Sequence, residues 1–145
     1  MANFFSNILH FSYSSGLNEH LKGLDILKCD AYSGTNIYAW IAIWTLFMSF
    51  ILMFNYYYGI FNRPNCSKFW VWLLNVLIGA ITILLMAYMR TNGDLRHGKF
   101  CKDLQFNSTD CMLFACTYAV YTVVLCGIFS LVMKWWSRNN KKVPF

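Results

Sequence analysis

Six cysteines, three histidines and a few serines are the side chains of this 145-residue chain that would carry redox, metal or nucleophilic chemistry. Their spacing argues against most of it. No Cys-x-x-Cys pair occurs, so a zinc site or a dithiol redox centre lacks its usual ligand spacing. His10, His20 and His97 are far apart and read as surface residues. Ser49 and Ser130 lie in apolar stretches without a neighbouring base, so no hydrolase triad can be assembled. No catalytic residue, cofactor or metal ligand is assigned, and the chain is expected to be non-enzymatic. Cys116 and Cys126 read as small apolar fillers. A Cys101–Cys111 disulfide is the expected bridge, with Cys29 an equally legitimate partner.

Two further groups have a spacing that suggests recognition. Arg90, Arg96, His97, Lys99 and Lys102 fall together in one connection, where they would receive an anionic ligand, a lipid or a partner. Small and weakly polar residues recur at helical intervals elsewhere. Ala115, Ala119, Thr122, Cys126 and Ser130 form one stripe, Asn75, Gly79 and Thr82 a second, and Ala42, Thr45 and Ser49 a third. In lipid, where helices gain little from hydrophobic collapse, such stripes allow close approach and interhelical hydrogen bonding. The same residues would line a pore if several copies formed a ring, although interhelical bonding is the simpler use of Asn75.

The elements that must position these groups follow from where charge is missing. No Asp, Glu, Lys or Arg occurs between Asp30 and Arg63, between Lys68 and Arg90, or between Asp110 and Lys134, gaps of 32, 21 and 23 residues. About 20 apolar residues suffice for a helix to cross the hydrocarbon core. The expected fold is therefore an all-α membrane protein with three transmembrane helices, spanning about 37–60, 69–89 and 111–133. Backbone polar groups in lipid must bond internally, and three strands cannot close a barrel. With 58% hydrophobic and only 12% charged residues, a water-soluble domain of this size is excluded. Trp40, Trp44, Tyr56, Tyr57, Tyr58, Trp70, Trp72, Trp135 and Trp136 fall near span ends, where aromatic rings belt the interface.

Residues 1–30 read as an N-terminal amphipathic segment before the three-span domain of residues 31–145. Phe4, Phe5, Ile8, Leu9 and Phe11 lie close to helical spacing, and Leu17, Leu21, Leu24 and Leu27 form a second stripe. The first lacks a basic start and does not resemble a cleavable signal.

Three crossings divide the twelve basic residues six to six, whereas all six acidic residues fall on the side of the N-terminus. An outside N-terminus and a cytoplasmic C-terminus are favoured, because Lys134, Arg138, Lys141 and Lys142 follow the last span directly. Membrane lipids are expected partners, as are copies of this chain or other membrane subunits; the net charge of +6 suggests anionic headgroups, and no specific nucleic acid is expected. The leading expectation is a helix-packing subunit of a membrane assembly. A homo-oligomeric ion channel or pore-forming effector is the alternative.

Overall fold

The computed structural model describes residues 14–25, 29, 31–59, 68–101 and 103–137. Among these residues, four α-helices and one 3-10 turn follow in order: α1 (Ser15–Leu21), α2 (Ile37–Tyr57), α3 (Phe69–Arg96), α4 (Ser108–Met133) and the turn Lys134–Trp136. Helices α2, α3 and α4 are each long and apolar enough to cross a membrane. The protein is thus a multi-pass, all-α membrane protein with a short helix before its first span. The expectations placed on Phe4 to Phe11, on Leu27, on the turn at Asn62 to Asn65, on Cys66, on Lys102 and on the basic residues after Ser137 lie outside the described residues.

Helix α1 is shorter than its leucine stripe suggested. Ser14 caps it, its hydroxyl accepting from Leu17 N–H at 3.4 Å. Leu17 and Leu21 are fully buried. The helix ends before Leu24 because Gly23 takes a φ of +91°, the left-handed conformation that closes helices. Gly23 also lies back to back with Gly34, whose N–H donates to the Gly23 carbonyl at 2.9 Å. A Cβ on Gly23 would come within 2.6 Å of the Gly34 oxygen, so this approach requires glycine.

Helix α3 runs further than the charge-free gap. It continues through Arg90–Arg96 as one helix of 28 residues. The extension carries an i,i+4 ion pair, Arg90 Nη1 to Asp94 Oδ1 at 2.8 Å. Thr91 Oγ1 donates to the Ala87 carbonyl at 2.9 Å, and Gly98, at φ +63°, follows the helix end. Polar residues that read as loop therefore form two more turns. Helix α4 opens on a local cap, in which Asp110 Oδ2 accepts from Asn107 N–H at 3.0 Å. This is the reach of a capping box, with Asp in place of Glu.

The chain divides into two compact units. The first contains Met1–Ile43 and Leu84–Tyr118, the second Trp44–Ile83 and Ala119–Phe145. In the first, Tyr38 is buried with its hydroxyl donating to Asn18 Oδ1 at 2.8 Å. Its ring meets Phe114 edge-on, and Phe114 meets Tyr118 in turn. The core of the second unit is built from Met53, Tyr56, Tyr57, Val76, Cys126 and Met133.

Candidate functional site

Within the second unit, the small and polar residues of the spans are engaged in packing. Ser49, Asn75, Gly79, Thr122, Cys126 and Ser130 are all buried, as is Thr45. Ser49 Oγ donates to the Thr45 carbonyl at 2.7 Å, and Asn75 Nδ2 to the Val71 carbonyl at 2.9 Å. Both bonds satisfy a polar group against its own helix. Ser130 Oγ accepts from Trp72 Nε1 at 2.8 Å and lies 3.1 Å from Met53 Sδ, so one hydroxyl links side chains from all three spans. A Cβ on Gly79 would meet Leu52 Cδ1 at 2.6 Å and Thr122 Cγ2 at 3.6 Å, which places its bare backbone against both neighbours. Thr82 departs from its expected stripe: it is exposed, and its hydroxyl donates to the Ile78 carbonyl at 2.8 Å. Ala119 is half-buried. In the first unit Ala42 is half-buried and Ala115 buried.

The aromatic residues also divide. Trp70, Trp135 and Trp136 are among the most exposed side chains. Tyr56 and Tyr57 are fully buried instead of marking an interface, while Trp72 is occupied by Ser130.

The first unit holds a concave site. A cavity of about 580 Å³ lies among His20 and Gly23 at the end of α1, Asp25, the segment Ser33 to Thr35, Arg90 and Asp94 on α3, and Lys99. A smaller cavity of about 280 Å³ is lined by Thr35, Asn36, Ile37, Trp40 and Arg90, three of which line the larger one too. The disulfide joins Cys29 to Cys101, bridging 72 residues of sequence with the Cα atoms 5.8 Å apart. Cys111, the partner first expected for Cys101, is instead a buried free thiol at the start of α4. The Asp103 carboxylate lies near the two bridged sulfurs, but sulfurs bonded to each other are not thiolate ligands.

His20, which the sequence placed at the surface, is instead buried in this unit. Its side chain is buried and stacks on Phe106, with ring centroids 5.6 Å apart. Nε2 lies 3.4 Å from Asp94 Oδ2 but outside hydrogen-bonding alignment, so this nitrogen is buried without a partner. Burial holds the imidazole below its ordinary value, and the nearby Asp94 carboxylate only partly opposes that. Glu19, one residue earlier, is also lowered: the Tyr32 hydroxyl donates to Oε2, and Lys22 Nζ donates to Oε1 at 2.9 Å. Of the basic connection, Arg90 and Lys99 line the cavity, while Arg96 and His97 are exposed and absent from its lining.

The Asp110 carboxylate joins the start of this unit to its end. Besides capping α4, its Oδ1 accepts from Ser14 N–H at 3.4 Å. No signal in the sequence marked Asp110 for both tasks, because its partners are 3 and 96 residues away. No family model, curated protein or solved structure matches the chain.

Proposed function

We propose that this chain is a non-enzymatic, helix-packing subunit of a membrane assembly. The observation that carries the proposal is the state of the polar residues within the second unit. Ser49, Asn75 and Ser130, which a pore would need to turn towards water, are buried and hydrogen-bonded within a single chain. Turning Ser130 towards water would break its bond to Trp72, leaving the indole N–H without its acceptor. The surface left for other molecules is apolar, with at most 33% of the most apolar stretch of any span buried. That balance favours association by side-chain packing over conduction through a polar lining. The cap, meaning α1 and the segments that carry Cys29 and Cys101, would stand outside the cytoplasm, an orientation supported by the Cys29–Cys101 bridge, since disulfides persist in oxidising compartments.

Purification in a mild detergent, followed by mass measurement, tests this reading. A stoichiometric complex with other membrane proteins is expected, and the purified chain alone should not conduct in planar bilayers. Steady conductance by the chain alone, altered by Asn75→Leu, would replace this reading with a pore.

A further inference from the structure

The two cavities of the first unit share Thr35, Ile37 and Arg90, so a chamber lined by charged and apolar groups continues into a slot that ends beside Trp40. Their position relative to the bilayer can be read from the chain. Arg90 is the first charged residue after the second apolar run, and Trp40 lies in the first turn of α2. Both belong at the depth where hydrocarbon gives way to headgroups.

The chamber's acidic groups are already engaged. Asp94 receives Arg90 Nη1 at 2.8 Å, and Asp25 Oδ2 receives Ser33 Oγ at 2.7 Å. The donors are less fully committed. Among the described residues, the Lys99 ammonium has no partner, and Arg90 commits only Nη1 in its bond to Asp94. His20 also lines the chamber, with its buried Nε2 3.4 Å from Asp94 Oδ2. An ammonium and a guanidinium on one chamber suit an acceptor with several oxygens, and phosphate offers more than carboxylate.

We propose that this chamber binds the phosphate headgroup of an anionic membrane lipid, with the lipid's apolar part leaving along the slot beside Trp40. Lys99 and Arg90 would hold the phosphate oxygens. Thr35 stands where chamber and slot join.

The test uses the full-length chain in phosphatidylcholine nanodiscs doped with phosphatidic acid, with retained lipid counted by native mass spectrometry. One phosphatidic acid per chain is expected, in preference to phosphatidylcholine. Lys99→Gln should weaken retention about tenfold, the loss of one charge-assisted contact. Thr35→Trp, which fills the junction without changing charge, should weaken it to a similar degree. Lys68→Gln, which removes an exposed cation at the start of the second span, should leave it unchanged. Both test positions are exposed, so the variants should remain folded. Unchanged retention in Lys99→Gln or Thr35→Trp overturns the proposal. An equal loss in Lys68→Gln would mean diffuse surface attraction and would also overturn it. Displacement by glycerol 3-phosphate at concentrations matching the lipid would assign the chamber to a soluble phosphate and refute the lipid.

Discussion

At the scale of single residues, Asp110 and His20 bear the most consequence for their size. Asp110 accepts two backbone N–H groups from opposite ends of the first unit. Asp110→Ala removes both acceptors, and at roughly 1 kcal/mol for each lost cap contact it should cost about 1–2 kcal/mol. Faster amide hydrogen exchange at Ser14 to Leu21 and at the first turn of α4 would report it, with Asp110→Asn falling between variant and parent. His20 makes the same region sensitive to acid. Its imidazole is lowered by burial, so the unfolded chain binds the proton more readily than the folded one. Stability contributed by neutral His20 is complete above about pH 6.5 and is lost as pH falls through the lowered value. The groups around it are Asp94 and Arg90 on α3, Asp25 and Lys99 across the chamber, and Glu19 and Lys22 on α1. Glu19, also lowered, acts in the same direction at still lower pH. Protection factors in α1, corrected for the intrinsic slowing of amide exchange at lower pH, should therefore fall between pH 7.5 and pH 5, and His20→Gln should flatten that change.

At the scale of elements, the reading of the sequence succeeded for the spans and failed for helix ends and for which residues face inward. The three spans were legible because lipid permits only one backbone solution for a long uncharged run. Helix α3 overran its expected end because Arg90, Thr91 and Asp94 satisfy one another at helical spacing, a local interaction that a polar composition conceals. Helix α1 stopped early because a glycine conformation outweighed a leucine repeat. Thr82 was misplaced because a hydroxyl that bonds its own helix can face outward without penalty. The disulfide partner of Cys101 could be narrowed only to Cys111 or Cys29, since three cysteines on one side allow several pairings and only the fold selects one. That bridge should matter for the cap alone. A cross-link closing 72 residues removes about 4 kcal/mol of chain entropy from the unfolded state, and delivered values are often smaller. Replacing Cys29 and Cys101 by Ser should cost the cap about 2–4 kcal/mol. Amides in α1 should then exchange about thirtyfold faster or more, while those around Met53 and Cys126 stay protected.

For the whole molecule, orientation is the property on which the remaining proposals converge. Basic residues alone do not decide it, since they divide evenly between the two sides. The bridge adds an independent argument. Cys29 precedes α2 and Cys101 lies between α3 and α4, so both belong to the side that carries the N-terminus and the second connection. A disulfide there is stable only if that side faces an oxidising compartment. The residues that follow the third span would then meet the anionic cytoplasmic leaflet, where each Lys or Arg gains about 1 kcal/mol. An accessible reporter separates the two orientations. With Cys66→Ser as background, His97→Cys places a thiol on an exposed position of the same side, just after α3. An impermeant maleimide applied to intact cells should label it, whereas a thiol at Lys134 should react only after the membrane is opened. The Cys29 and Cys101 sulfurs should become reactive from outside after mild reduction and not before. Labelling of the Lys134 position in intact cells, with protection of position 97, would place the cap in the cytoplasm. The bridge would then lose its oxidising environment, and the chamber would face the inner leaflet.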